Sequence, residues 1–484
     1  MSTFTTAATV PYSLSEVLAW HARPGALTRL NPHWAGAVIR EATREVGSRA
    51  EIKAAVPGTR GLASVPLVAE VAAVNEHSFT DRMVKGPFRS WQHTHRFSEA
   101  PTGGTLIEDE IEYELLPGQD LAAAGSPRTR GAGSAATKLV GGARSLAASV
   151  AGWRAEKYFA AMFAERTRRL EADLAFHARY STTPQTVVIA GASGLIGQQV
   201  AALLSSGGHT VRTLVRREPR AEHEFAWDPA RGTIDEAAFT GADAVIHLGG
   251  TSISTRFTEA NKQKMLDSRV QSTELLAATL ARLAPHGGPR TFVCTSAIGY
   301  YGASRPQELL EETSRPGSDF LARVCQAWED ACQPARDAGL RVVNVRVGVV
   351  LSALGGALRL QLPPFLAGLG ASVGAGDNVQ SWIGLDDIAG VFAHAVLTDA
   401  VEGPLNAVAP TPVTARKLAK LIGKVVRRPV FLKAPQAAPK LLLGEEGADQ
   451  LAMADQTVSC DKLQASGYRF FAQDATTALH HELG

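Results

Sequence analysis

The spacing of hydrophobic positions changes once along this chain, near residue 180, and the change separates two halves of different architecture. The first half carries strand-like runs at 37–43, 48–56, 65–74, 79–83 and 90–97, and the run after them, 105–116, alternates apolar with polar positions. That period predicts a strand with one face on a core and one in water. Ile107, Asp109, Ile111, Tyr113 and Leu115 share one face, while Glu108, Glu110, Glu112 and Glu114 take the other, a solvated face. Pro101-Thr102-Gly103-Gly104 supplies the hairpin turn before it. Two stretches keep helical spacing instead: SLSEVLAWH, capped by Ser13, and a long amphipathic run at about 154–177. Many antiparallel strands with one long closing helix predict an α+β fold over residues 1–180, a curved sheet wrapped on a helix. The stretch 120–152, rich in Ala, Gly and Ser, reads as a mobile insertion before that helix.

The polar piece 178–185 marks the boundary, and from residue 186 strand-like runs alternate with helical ones. Strands are expected at 186–190, 210–215, 224–227, 244–248, 291–296 and 341–347, with helices after 197 and at 258–283 and 318–338. This order predicts the α/β class: a doubly wound parallel Rossmann-type sheet over 186–484, with a small mixed lobe from about 400. Ligands of such sheets sit at the carboxyl ends of the strands, so 247–250 and 295–301 should border one.

The first strand runs into Gly191-Ala192-Ser193-Gly194-Leu195-Ile196-Gly197 and then into a helical stretch. Each glycine has a separate task in a strand-turn-helix unit. Gly191 makes the tight turn, Gly194 admits a pyrophosphate close to the backbone, and Gly197 lets the helix lie against the strand. The free N–H groups of the helix's first turn then face the phosphates. A glycine triplet alone is weak in a chain with 45 glycines; its place between a strand and a helix, with a second strand following, makes it a dinucleotide site. An NAD-selective unit ends its second strand with Asp or Glu, to hold the ribose 2′-hydroxyl. Here that strand ends Leu214-Val215-Arg216-Arg217. Two guanidiniums suit a 2′-phosphate, so NADP(H) is the expected coenzyme, against a plain solvated basic loop.

Composition narrows the picture only a little. At 484 residues the chain exceeds one core, and 45% hydrophobic with 20% charged residues is ordinary for a globular protein. A formal net charge of +2 gives no case for nucleic acid. No signal peptide or membrane-spanning run is evident, and Cys294, Cys325, Cys332 and Cys460 form neither a CxxC pair nor a zinc pattern. A reducing, cytoplasmic setting is expected. Trp91, His93 and His95 share one strand face; two histidines at that spacing could serve a metal, but no third ligand is legible and zinc needs three or four. No metal is therefore expected, and the face is read as a cavity lining or a surface.

In the first half, VPYSLSEVLAWHARPGALTRLNPHW, DRMVKGPFRSWQHTHRF and FAERTRRLEADL resemble the helix-grip superfamily of polyketide cyclase and START-related domains. The resemblance implies an apolar ligand between sheet and helix. The ordered series GASGLIG, DAVIHLGG, DSRVQST, TSAIGYYG, FLARVCQAWEDA, RVGVVLSALGGAL and LNAVAPTPVT is similar to the epimerase family of extended, atypical short-chain dehydrogenase/reductases, often labelled sugar-nucleotide epimerases or SulA-like proteins. It implies NADP binding by Gly191–Gly197, by Arg216 or Arg217, by the Leu248-Gly249-Gly250 turn and by Thr295 and Ser296, with Arg269 where relatives carry Asn. It also implies a catalytic Ser or Thr, a Tyr, and a Lys four residues on. Alignment on Trp328-Glu329 places Leu321 and Cys325 at the Tyr and Lys positions, where neither can act. Ser296, Tyr300 and Tyr301 remain as catalytic candidates, if a cation such as Arg269 or Lys262 lies close. Otherwise the tyrosines only pack beside the nicotinamide ribose. On the substrate side, Gly384 stands where relatives tend to carry His and Asn378 where they tend to carry Gln. Two functions stay open: an NADP-dependent oxidoreductase or epimerase for a small polar or sugar-like substrate, and a catalytically silent NADP-binding sensor whose first domain takes an apolar ligand.

Overall fold

The computed structural model describes residues 1–115, 155–180, 183–374, 376–430 and 439–484, and the backbone alone of 135–154, 432–433 and 437–438. The chain forms two compact units, Met1–Glu171 and Ala172–Gly484.

The first unit is a seven-stranded antiparallel sheet: β1 (Ser2–Val10), β2 (Gly36–Arg40), β3 (Arg49–Ala55), β4 (Ser64–Asn75), β5 (Ser78–Lys85), β6 (Phe88–Glu99) and β7 (Thr105–Leu115). Their order across the sheet is β1-β7-β6-β5-β4-β3-β2. β1 was not expected from the pattern, because STFTTAATV is too polar and small-residued to alternate clearly. Pairing with β7, from Ser2 opposite Tyr113 to Val10 opposite Thr105, makes it a strand. The helix Leu14–Ala22 starts on a capping box in which Ser13 and Glu16 satisfy each other's backbone N–H. The closing helix runs Ala135–Arg179, well upstream of the expected start; residues 120–134 of the expected mobile insertion lie outside the described residues. Phe159 and Phe163 of this helix pack onto Ile111 and Tyr113 of β7. The alternation read from β7 therefore marks its core face, as its Glu residues mark the wet one.

The second unit carries β8 (Thr186–Ala190), β9 (Thr210–Val215), β10 (Glu224–Asp228), β11 (Thr233–Ile234), β12 (Ala244–His247), β13 (Thr291–Ala297), β14 (Arg341–Val347) and β15 (Gly403–Ala407). The sheet order is β11-β10-β9-β8-β12-β13-β14-β15, parallel except for the β10–β11 hairpin at its edge. β8 shows why both faces must be covered. Val187 and Ile189 join Val200, Leu203, Ile388 and Phe392 on one side, and Val188 and Ala190 join Leu276, Leu280 and Trp328 on the other. Each fully buried aliphatic side chain contributes about 1.5–3 kcal/mol, so the sheet is anchored from both faces. The single helix expected at 318–338 is two, Phe320–Asp330 and Gln333–Asp337. Pro334 has no N–H to continue the first.

Chain reversal at the carboxyl ends of β8, β12 and β13 gathers the glycine loop, the 248–250 turn and the 298–301 turn at one edge of the sheet. The C-terminal segment fastens the last of these. Ser304–Leu310 pairs with Asp455–Val458, and buried Gln456 donates its side-chain amide to the carbonyls of Ile298 (2.9 Å) and Gly302 (2.7 Å).

Candidate functional site

Gly191 has φ +92, a region costly for any residue with a Cβ, and a Cβ there would meet the Leu248 carbonyl carbon at 3.0 Å. A Cβ on Gly197 would come to 2.2 Å from the Gly191 carbonyl oxygen, and one on Gly194 to 3.3 Å from that same atom. The backbone of Gly194 donates to Gly191 O at 3.0 Å, closing the turn. The helix Leu195–Ser206 begins at Gly194 with no side-chain cap. Ser193 and Gly194 are exposed, while Ala192, Leu195 and Ile196 are half-buried. The first-turn N–H groups of this helix are thus open to a ligand.

The turn Leu248-Gly249-Gly250 lies beside this loop, held by Leu248 N donating to Ala190 O at 2.8 Å. His247 shapes it from beneath. Its Nδ1 accepts from Gly249 N (3.3 Å), so its Nε2 carries the proton shared with Ser272 Oγ (2.9 Å). Burial, and then the charge of Arg269, push the imidazole down to about 3, so it stays neutral. A Cβ on Gly249 would strike His247 Cε1 at 2.6 Å. Gly250 faces Arg269, whose Cζ would be 3.1 Å from an added Cβ. Arg269 is buried, donates to Met265 O (3.0 Å) and lies 4.9 Å over the Trp328 ring. Among the described residues it has no carboxylate partner. Thr295 joins the group by donating to the His247 carbonyl at 2.9 Å.

At the end of β9 the two arginines differ. Arg217 is bound in a bidentate pair with Glu224, with Nη1–Oε2 at 2.8 Å and Nη2–Oε1 at 2.5 Å. That hydrogen bonding pulls the Glu224 carboxyl down to about 2. Arg216 is exposed and makes no ion pair among the described residues. Both line a cleft of about 310 Å³. Two of its three acids are engaged locally: Asp235 accepts from Ala237 N, and Asp228 accepts from Ala230 N and pairs with Arg231, while Glu218 also lines it.

The proposed catalytic residues are not brought together in the expected way. Ser296 is buried and donates to Glu329 Oε1 at 2.7 Å. Glu329 is clasped by Arg346 through Nε–Oε1 (2.8 Å) and Nη2–Oε2 (2.9 Å). Tyr301 is fully buried, donates to Asn406 Oδ1 (2.7 Å) and accepts from Arg346 Nη1 (3.0 Å). Burial outweighs Arg346 there and pushes the phenol up to about 12. Tyr301 is thus a buried residue whose hydroxyl is engaged on both sides by the fold. Tyr300 is half-buried, with the Arg346 guanidinium 3.5 Å from its ring centroid. Lys262, the other cation considered, is held by Glu259 and Glu446 over Phe320. At the usual Tyr and Lys positions, Leu321 is packed with Met265, Phe320 and Val324, and the buried Cys325 thiol is pushed up to about 12 by burial.

Ser381 and Trp382 bond within the fold. Ser381 Oγ donates to Gln456 O (2.9 Å) and Trp382 Nε1 to Thr411 O (2.8 Å), both buried, and Asn378 donates to Ala454 O (3.2 Å). Sequence reading placed His247 at the ligand edge but missed Glu329, Arg346, Asn406 and Gln456. Only Arg346 left a trace, as a charge inside the apolar run of β14; the others meet their partners across 17 to 158 residues.

Comparison with known proteins accords with this geometry. Residues 187–406 match the NAD dependent epimerase/dehydratase family, 434–482 a domain of unknown function (DUF1731), and 10–134 the polyketide cyclase / dehydrase and lipid transport family. An epimerase family protein of Mycobacterium tuberculosis is 39% identical over 294 residues, covering 60% of this chain and 96% of that protein. A crystal structure named as a nucleoside-diphosphate sugar epimerase of Corynebacterium glutamicum superposes with TM-score 0.76 at 32% identity, over 99% of this chain and 90% of that one. The human epimerase family protein SDR39U1, crystallised with NADPH, gives TM-score 0.56 at 31% identity, over 62% of this chain and 99% of that one. With its glycine cradle, its neutral-histidine turn and these relatives, the chain belongs to the epimerase family, with a polyketide cyclase-like domain at its N-terminus.

Proposed function

We propose that the second unit binds NADPH. Gly191–Gly197, with the Leu248–Gly250 turn, would hold the diphosphate, Arg216 the 2′-phosphate, and Thr295 and Arg269 the nicotinamide side. The residues present fit such a group: a Cβ at any of five glycines would press on the atoms of the cradle, and among the described residues the buried guanidinium beside Gly250 has no carboxylate partner. The observation that carries the choice of NADPH over NADH is the division of labour at β9. Arg217 is committed to Glu224, whereas Arg216 stands free beside the cleft. Fluorescence titration with both coenzymes tests it. Arg216→Ala should weaken NADPH binding about tenfold or more, consistent with loss of one charge-assisted contact of about 1.5–3 kcal/mol, and leave NADH unchanged. Equal wild-type affinity for the two coenzymes would contradict the assignment.

For chemistry, the reading favoured is an oxidoreductase or epimerase acting on a small polar or sugar-like substrate. Bound NADPH supplies a hydride donor. Tyr300 is the residue that would bind the substrate's carbonyl oxygen and give it the proton that accompanies the hydride, with Arg346 beside its ring as the fixed positive charge that a Lys supplies elsewhere. Ser296 and Glu329 would position Arg346, and Tyr301 would brace the turn. Incubation with 4-pro-R or 4-pro-S deuterated NADPH and a carbonyl panel tests this. Label should leave the coenzyme in wild type and stay in Tyr300→Phe. A second reading, a silent coenzyme-binding sensor, is favoured by the packing of Leu321 and Cys325 where active relatives need Tyr and Lys; it predicts no label loss with any carbonyl. In both readings the first unit, with its matched family, would receive an apolar ligand.

A further inference from the structure

The first unit contains a buried polar group that the coenzyme chemistry does not use. Three neighbouring strands build it. β5 and β6 pair with Asp81 opposite His93, and β6 and β7 pair with His95 opposite Asp109. Directly opposed residues share a face, so all four side chains stand on one side of the sheet. Phe163 of the closing helix lies over them, its ring centroid 5.4 Å from that of His93. His93 and His95 are buried, and the side chains of Asp81 and Asp109 are 25% and 12% exposed.

The hydrogen bonding fixes the tautomers. Asp109 Oδ1 accepts from His93 Nε2 at 2.9 Å and from His95 Nδ1 at 2.7 Å. Both rings spend their one N–H on that oxygen, which leaves His93 Nδ1 and His95 Nε2 with bare lone pairs. His95 Nε2 faces Asp81 Oδ2 at 3.9 Å, too far for a hydrogen bond. Two acceptors facing each other across that gap repel unless a cation or a proton lies between them. Two metal–ligand bonds of about 2.1 Å span it. One ligand atom from each of Asp81, His93 and His95 falls within 4.8 Å of the others.

We propose that His93, His95 and Asp81 bind a divalent first-row transition metal, with Asp109 as the carboxylate that orients both rings. Two imidazoles and one carboxylate form a ligand set typical of such ions and leave coordination positions open. A ligating histidine that gives its second N–H to a carboxylate is the usual outer arrangement of these sites, and here one carboxylate serves both rings. Arg166 approaches the same two carboxylates from the helix. It is the competing cation, and the experiment decides between it and the metal.

Full-length protein made without a histidine tag, stripped by chelator and desalted, is titrated with Zn²⁺ and with Co²⁺. Bound metal is measured by elemental analysis and Co²⁺ by its visible absorption. One ion per chain is expected, weakened tenfold or more in Asp81→Asn and in His95→Gln, and by about 10–100-fold in Asp109→Asn. Zn²⁺ should raise the unfolding temperature of the stripped wild type but not of stripped Asp81→Asn; if a variant fails to fold, His93→Gln reads the same ligand set. Absence of a stoichiometric ion in wild type, or undiminished binding in both Asp81→Asn and His95→Gln, overturns the proposal and leaves Arg166 as the cation facing the two carboxylates.

Discussion

Two adjacent tyrosines, Tyr300 and Tyr301, have opposite fates, and their substitutions should separate. Tyr301→Phe strands Asn406 and removes an acceptor from buried Arg346, so it should cost about 1–3 kcal/mol of stability. Among the described residues Tyr300→Phe removes no side-chain hydrogen bond of the fold, and it should leave stability within about 0.5 kcal/mol of wild type. If the oxidoreductase reading holds, the same change should lower turnover about 10²-fold or more. Glycine substitutions read the coenzyme cradle at the same scale. Gly197→Ala forces a methyl to 2.2 Å from the Gly191 carbonyl oxygen and should abolish NADPH binding. Gly232→Ala, with nothing near its Cβ, should leave coenzyme affinity intact despite its φ of +66. Isothermal titration of both variants checks the pair. None of the partners of Tyr301 is legible locally, since Asn406 and Arg346 arrive from β15 and β14.

At the scale of elements, buried titratable groups set a pH dependence that can be signed in advance. His247 ties β12 to the helix Glu259–Leu283, and burial takes its pKa down to about 3. His394, on the helix Leu385–Leu397, is taken down to about 4 by burial and by Arg179. An unfolded histidine titrates near 6.5, so below that pH the unfolded chain binds protons that the native one refuses. Each therefore costs up to about 1.4 kcal/mol per pH unit as pH falls from about 6.5 toward 4. Asp387 acts the other way. It accepts from Phe471 N (2.7 Å) and Ala472 N (3.0 Å), yet burial raises it to about 7. The native carboxyl then holds a proton that the unfolded one has lost, so its stabilisation is present at about pH 4 and fades as pH rises to about 7. Urea unfolding at pH 7 and pH 5 should show a net loss at pH 5. Asp387→Asn should steepen that loss and His394→Asn should flatten it; identical slopes in all three proteins would refute the assignment.

At the scale of the whole molecule, the second unit begins before the first Rossmann strand. Phe176 packs in its core, and Tyr180 Oη meets His394 Nδ1 at 2.6 Å. The polar boundary expected at 178–185 lies past this division because hydrophobic packing, not polarity, ends a unit. A fragment of residues 172–484 should fold alone and bind NADPH. One starting at 183 should fold with a melting temperature several degrees lower, for loss of a buried Phe worth about 1.5–3 kcal/mol. Calorimetry of the two fragments compares them directly. A fragment ending at 433 loses Gln456 and the strand Asp455–Val458, and should lose ordered structure at the 298–302 turn.

The sequence by itself determined what local geometry dictates. β8 and β9 begin and end where the apolar run does, the glycine spacing marks the cradle, and the alternation along β7 names its core face. These signals survive because a turn needing φ above zero or a strand with one dry face constrains residues only a few positions apart. Only the tertiary structure decided that Arg217 is spent on Glu224 and Arg216 is not, that Tyr301 is sealed, and that Asp81 stands opposite His93. Those outcomes depend on register and burial between segments tens to hundreds of residues apart, and a short window of sequence does not carry the distance at which two side chains meet.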